Sequence, residues 1–219
     1  MIESEVATIL VDSGPDLRIQ ALRHGLNKVD HVLYTHAHLD HISGFDELRA
    51  FCWRREEALP LYGNEGCISE LKRIFYWAFE NENIYQGYVR PDPHVLTNTV
   101  NIGNLNITPI PVIHGSVETS GYLFQSETGG SVAYISDVKE IPQSSIDLIK
   151  NVDTLIIGCL REQGHYSHMS IAECLSAINR IAPEKAYLTH VSHEMDCNEV
   201  ARALPKNVQF AYDTQTFTF

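Results

Sequence analysis

The run Thr35-His36-Ala37-His38-Leu39-Asp40-His41 places four side chains able to bind a metal ion within six residues. Imidazole nitrogen suits zinc, copper, iron and nickel, and the carboxylate of Asp40 adds a harder oxygen donor. In extended backbone alternate side chains point to one side, so His36 and His38 are expected to aim at the same ion. A turn after them can swing Asp40 and His41 towards a second ion. Chance histidines in a polar loop account poorly for donors packed so closely. Ligands must converge in space rather than in sequence, and three later residues qualify: His114 ends ITPIPVIH, Asp137 follows VAYIS and His190 ends AYLTH. Each terminates an apolar run of strand type, and loops after strands commonly carry binding sites. One strand-end histidine alone would be read as an ordinary surface residue. Three metal-type residues at such ends, downstream of HAHLDH, are read as ligands.

The elements that must position these residues are legible in outline. Residues 6–12 (VATILVD) read as a buried strand, and Ser13-Gly14-Pro15 turns into a helix with Pro15 at its first position and Gly25 as its C-terminal cap. Residues 31–35 form a second strand that delivers the histidine cluster, and 43–51 a helix with Phe45, Leu48 and Cys52 on one side. A strand is expected at 59–62. Residues 64–79 carry Ile68, Leu71, Ile74, Phe75 and Phe79 at helical spacing, thickened by Tyr76 and Trp77. That stripe reads as core, with a homodimer face as the alternative. Strands follow at 100–102, 105–111, 121–125 and 131–136, with Thr128-Gly129-Gly130 as a hairpin turn. Helices at 144–150, 170–181 and 194–204 then alternate with strands at 154–158, 186–189 and 208–212. The runs TLIIG and AYLT are too apolar for water-facing strands, so helices should cover them. The expected class is α/β: two sheets packed together with helices outside, in a single domain 1–219 with a helical insert near 64–90.

Composition narrows the functions. No apolar run approaches the roughly 20 residues that span a bilayer, and the opening MIESEVATIL lacks the basic start and apolar core of a secretory signal. A soluble cytoplasmic protein with no membrane partner is expected. The five cysteines are odd in number and show no CxxC spacing, which supports neither a disulfide scaffold nor a cysteine zinc site. With 28 acidic against 16 basic side chains the net charge is −12, which repels phosphate backbones and makes long nucleic acid an unexpected partner. Two divalent ions at one spot would invert the local field, so a small anionic substrate fits.

HAHLDH followed in order by His114, Asp137 and His190 resembles the metallo-β-lactamase superfamily. The resemblance implies a four-layer αββα sandwich with a dinuclear site at one edge of the two sheets. On that template His36, His38 and His114 hold one ion, Asp40, His41 and His190 the other, and Asp137 bridges them. The commonest zinc β-lactamases carry a cysteine among the second-site ligands. Here no cysteine lies near a ligand position except Cys197, so β-lactamase activity is not expected. ILVDSGPDLRIQALR and CLREQGHYSHMSIAEC resemble the phosphonate-operon (PhnP-like) cyclic phosphodiesterase branch, and the second segment, more loosely, the tRNA-processing nucleases. In both, a histidine ahead of a helix reaches the metals; His168 is the best match, with His165 nearby. Members of that branch open with a further stretch of chain, so the first sheet is expected to lack its first N-terminal strands.

The implied function is a dinuclear metal-dependent hydrolase, with zinc or manganese as the expected pair and iron or nickel also fitting. It is expected to be a phosphodiesterase for a small phosphodiester, cyclic ones included, with metal-bound hydroxide attacking phosphorus in line. His168 would protonate the leaving alkoxide, a general-acid role worth roughly 10²–10⁴ in rate. Asp40 is the second candidate catalytic residue. Asp16 or Glu194 could orient ligand imidazoles, and Arg161 is a candidate phosphate contact. The alternative is a thiolester or lactone hydrolase of the glyoxalase II type, which shares the ligands but usually lacks the HxxH segment at 165–168. A non-catalytic partner-binding module of the same fold comes last, since its usual mark is lost ligands and all seven are present. Nuclease action on long RNA would call for a basic exosite, and no basic run exists.

Overall fold

Apolar runs of four to ten residues, punctuated by the expected turns, pair into two sheets in a computed structural model that describes residues 1–53, 55–80 and 87–219. They belong to two units, Met1–Thr97 and Asn98–Phe219.

In the first unit β1 (Ile2–Glu3) pairs antiparallel with β2 (Thr8–Val11). From β2 the sheet continues in parallel through β3 (His31–Leu33), β4 (Leu59–Gly63) and β5 (Pro91–Val95). Parallel neighbours require crossovers. These are α1 (Leu17–His24); then α2 (Leu39–Ile42), a 3₁₀ turn at Phe45–Leu48 and α3 (Arg49–Cys52); then α4 (Glu65–Ile74) and α5 (Tyr76–Phe79). The register Leu10↔Val32↔Leu61 forms an apolar row across one face. It shares a buried cluster with Leu17, Ile42, Phe45, Leu48, Cys52, Ile68 and Leu71 from the crossovers. The stripe over 64–79 is therefore core.

Two local expectations are corrected, and one strand was not foreseen. Helix α1 starts at Leu17 behind Asp16, so Pro15 lies outside it, although Gly25 does cap its end in the left-handed region (φ 63°). The helix over 64–79 breaks at Phe75 (φ −107°, ψ 36°), and the turn of chain leaves Tyr76 62% exposed while Trp77 packs on the core. Within 64–90, residues 81–86 lie outside the described residues. Strand β5, with sequence PDPHV, was not foreseen; it sits at the sheet edge, where the missing N–H groups of its two prolines are tolerated.

In the second unit β6 (Val100–Ile102), β7 (Leu105–His114), β8 (Val117–Ser126) and β9 (Ser131–Ile135) form an antiparallel meander. The sheet goes on in parallel through β10 (Thr154–Gly158), β11 (Lys185–Thr189) and β12 (Val208–Phe210). Helix α6 (Gln143–Leu148) precedes β10, α7 (Ile171–Ile181) links β10 to β11, and α8 (Cys197–Ala201) links β11 to β12. Strands β7 and β8 run three and four residues closer to their shared turn than expected, and α8 is shorter than 194–204. Rows Ala133–Leu155–Ala186 and Ile135–Ile157–Leu188 line one face and join Ile146, Cys174, Ala177, Ile178 and Ile181 in a second core. Among the described residues no helix is long and apolar enough to cross a membrane.

Candidate functional site

Strand β3 stops at Leu33, but Tyr34 N–H still donates to Tyr62 O (2.7 Å), so the chain enters the histidine motif extended. His38 keeps extended dihedrals (φ −67°, ψ 148°), and α2 begins at the next residue, carrying Asp40 and His41 on its first turn. The strand-then-turn geometry read from HAHLDH is thus present. The close approach of two glycines fixes it: a Cβ on Gly44 would fall 2.2 Å from Gly14 O, and one on Gly14 2.6 Å from Asp40 O. Through that gap Gly44 N–H donates to Ser13 O and Ser13 N–H to His41 O, each at 2.8 Å.

The orienting carboxylate is Asp12, which sequence reasoning missed. It directly follows β2 and lies in the left-handed region (φ 59°), a conformation aspartate tolerates better than most residues. Its Oδ1 accepts Thr35 N–H at 2.8 Å; its Oδ2 accepts Thr35 Oγ1–H at 2.9 Å and His41 Nδ1–H at 2.8 Å. Because the Thr35 hydroxyl spends its proton on Asp12, it can only accept from His36 Nδ1–H, 3.0 Å away. Both imidazoles are therefore held as tautomers whose Nε2 carries the lone pair, the state a metal requires. His36 Nε2 lies 2.9 Å from His38 Nδ1, and His41 Nε2 3.4 Å from Asp40 Oδ2. Asp12 was findable: it is an acid at the end of an apolar strand, as Asp137 is. Of the two other acids that could orient imidazoles, Asp16 makes no side-chain cap bond at the head of α1 and Glu194 pairs with Arg161.

In the second unit His114, at the end of β7, donates Nδ1–H to Ser167 O (2.8 Å), which again leaves Nε2 as the donor atom. Asp137 follows β9 and is buried with His114. Around its carboxylate stand His190 Nδ1 at 3.4 Å, His114 Nε2 at 3.6 Å and His168 Nδ1 at 3.8 Å. These separations are long for hydrogen bonds. They match the spacing of two donors on one tetrahedral ion, about 3.4 Å for bonds of about 2.1 Å. One donor atom each from Asp137, His168 and His190 lies within 4.8 Å of the others. The donor chemistry and spacing thus fit a divalent cation. His190 holds its place with a left-handed backbone (φ 56°), a mildly strained conformation of the sort that gathers at functional positions.

His168 stacks on His190 (centroids 5.1 Å apart, 17°) and meets His114 edge-on at 4.6 Å. Burial pushes its pKa down to about 4, and His114, His190 and His165 act in the same direction against Asp137. At neutral pH it is a neutral imidazole, with one N–H to give and one lone pair to offer. Its neighbour His165 accepts from Ser167 N–H at 3.3 Å. The guanidinium of Arg161, a candidate phosphate contact that reads more readily as a surface arginine, donates to Glu194 (3.1 Å) and Gly164 O (3.2 Å) and so braces its own loop.

Residues 7–191 match the model of the β-lactamase superfamily domain. The crystal structure of a diphosphatase from the PhnP family superposes with a TM-score of 0.88 at 32% identity, over 99% of this chain and 82% of that one. An octanoyltransferase of Porphyromonas gingivalis is 31% identical over 214 residues, which cover 94% of this chain and 41% of that protein; the chain thus spans about two fifths of that relative's length. Ribonuclease Z of Staphylococcus aureus (strain Newman) is 24% identical over 267 residues, or 96% of this chain and 86% of that one.

Proposed function

Because the chain belongs to the metallo-β-lactamase superfamily, and within it to the PhnP family, we propose that it is a dinuclear metal-dependent phosphodiesterase acting on small phosphodiesters. One observation carries the reading. In each unit the donors stand at strand ends with their tautomers set from behind, His36 and His41 through Thr35 and Asp12, His114 through the Ser167 carbonyl. Such support is what metal ligands need, and a chance polar loop has no use for it. His36, His38 and His114 would hold one ion and Asp40, His41 and His190 the other, with Asp137 serving both. When bound, a pair of divalent ions supplies Lewis acidity and brings the pKa of a bound water towards about 7.

The chain's own side chains set the rest. Asp40 is mostly exposed, so it would hold its ion from the solvent side, where a substrate could also reach it. We assign His168, beside Asp137, to the leaving oxygen: neutral in the free protein, its ring would take up a proton from solvent next to the anionic diester and pass it, as imidazolium, to the leaving alkoxide. Zinc and manganese both suit this set of nitrogen and carboxylate donors. The PhnP-family relative is a diphosphatase, which also works at phosphorus. The acidic balance, with net charge −12, argues for a compact anion rather than a long RNA.

A second reading, thiolester hydrolysis, draws on the octanoyltransferase match, because octanoyl transfer is acyl chemistry. The two separate on one experiment. Metal-loaded protein is assayed on alkyl and p-nitrophenyl phosphodiesters and on acyl thiolesters, with His168→Ala alongside. The phosphodiesterase reading expects turnover of the diesters. It also expects His168→Ala to lose about 10²–10⁴ in kcat on the alkyl diester, whose leaving alkoxide needs a proton, and much less on the nitrophenyl one. Thiolester turnover without diester turnover, or a His168→Ala loss that ignores the leaving group, overturns it.

A further inference from the structure

Residues 161–169 leave the end of β10 and return to α7 as an arch that carries His168. Backbone ties its feet: Leu160 N–H donates to Met169 O and Ile171 N–H to Arg161 O, both at 3.0 Å, and Met169 N–H to Val138 O at 2.8 Å. Ser192 N–H donates to Leu160 O at 2.8 Å, which joins the foot of the arch to the loop after β11, the loop that begins at His190. Between the feet this support stops. Residues 162–168 take part in no backbone–backbone hydrogen bond among the described residues. Side chains must therefore hold the crown.

Arg161 does so in two directions. One Nη donates to Gly164 O within the arch (3.2 Å), and the other to the Glu194 carboxylate in the loop after β11 (3.1 Å). Arg161 thus joins the arch to the segment that carries His190. On the far flank Ser167 N–H donates to His165 Nδ1 at 3.3 Å, and Ser167 O accepts His114 Nδ1–H at 2.8 Å. The His168 ring depends on both flanks. It stacks on His190, with centroids 5.1 Å apart and planes 17° from parallel, and its Nδ1 stands 3.8 Å from Asp137 Oδ2. With no backbone bond beneath it, the place of one loop against the other decides where this ring points. A displacement of about 1 Å in a reacting group can cost up to about 10² in rate.

Resting on the phosphodiesterase reading above, we propose that Arg161 is a positioning residue: by bracing Gly164 and Glu194 at once it fixes His168 against His190 for protonation of the leaving oxygen. Arginine suits the task, because its planar fork serves two acceptors in fixed directions and never gives up its charge. Both Nη groups are engaged within the protein and Nε is closed off from solvent. The side chain is a brace, not a phosphate contact.

Arg161→Met tests this on metal-loaded protein, since methionine keeps most of the apolar stem and removes the donors. The ion pair with Glu194 is half-exposed and adds little to stability, so the variant should fold, which its melting curve checks. On an alkyl phosphodiester kcat should fall about tenfold with KM held, and on a p-nitrophenyl diester, whose leaving group needs no proton, kcat should hold within about twofold. In a His168→Ala background the substitution should lower kcat no further. Glu194→Ala, which removes one end of the brace, should show the same pattern more weakly. A second readout needs no turnover: carbethoxylation of His168 by diethyl pyrocarbonate, located by mass spectrometry. The His168 side chain is 15% exposed, and in Arg161→Met its labelling should rise severalfold relative to the exposed His24. A raised KM on both diesters would make Arg161 a substrate contact and overturn the proposal. Equal kcat losses on both, no loss on either, a loss that adds to that of His168→Ala, or unchanged labelling of His168 overturns it as well. If the wild type hydrolyses neither diester while His168 labelling still rises in Arg161→Met, the phosphodiesterase reading fails and the brace on His168 stands.

Discussion

Asp12 accepts three hydrogen bonds at 2.8–2.9 Å, two from Thr35 and one from His41, and through Thr35 it also decides the tautomer of His36. It should therefore govern metal affinity without touching a metal. Asparagine keeps the left-handed backbone that position 12 needs, but it brings one amide oxygen where the carboxylate had two. Asp12→Asn is expected to weaken zinc or manganese binding about 10- to 100-fold, read by competition against a chromophoric chelator. Asp12→Ala should show the same weakening and add about 1 kcal/mol of instability, because alanine resists φ near 59°. Full metal affinity in both variants would remove Asp12 from the site. The candidate donors stand out by residue type and spacing, whereas Asp12 shares with Asp137 only its place at a strand end, and its partners are not visible in the sequence. Its partners, Thr35 and His41, lie 23 and 29 residues away, and pairing across that distance follows from which strands become neighbours.

Elements were most legible where one signal dominated. Strand β10 matches its apolar run residue for residue, and α7 begins one residue inside the expected span because Ser170 is its cap. Reading failed where two signals conflicted, as in the prolines of β5 or the apolar stripe that runs on past the break at Phe75. Helix α7 matters most for the site, since its N-terminal cap closes the arch that carries His168. Ser170 accepts from Glu173 N–H, and Glu173 returns the bond to Ser170 while pairing with Lys139 at 2.5 Å. The Lys139 partner and the Ser170 bonds hold the Glu173 carboxyl down at about 2. A carboxyl whose folded-state pKa is depressed stabilises the fold above its unfolded value and loses that contribution as pH falls through the folded value. Between about pH 4.5 and 2, thermal melts of the wild type should thus lose a component that Glu173→Gln lacks. The side chain is 41% exposed, so water discounts the ion pair and the loss should be about 1 kcal/mol or less. Identical melting profiles for the two proteins below pH 4.5 would show that the cap works without its charge.

The proposed ligand assignment takes His36, His38, Asp40 and His41 from Met1–Thr97 and His114, Asp137 and His190 from Asn98–Phe219. An ion that binds only the folded chain stabilises it by mass action, about 4 kcal/mol when the metal stands a thousandfold above its Kd. Saturating zinc or manganese should accordingly raise the melting temperature, and a chelator should reverse the rise. A thermodynamic cycle then asks whether the two donor sets serve one centre. His36→Ala and His114→Ala are each expected to weaken metal binding severely, measured as the loss of metal-induced stabilisation. If both histidines hold the same ion, the second substitution finds little left to remove. The double variant should then resemble either single one, with a coupling of about 1–3 kcal/mol. If instead the two histidines held different ions, the losses would add and the double variant would fall well below either single one, and the assignment of His36 and His114 to a shared ion would fail.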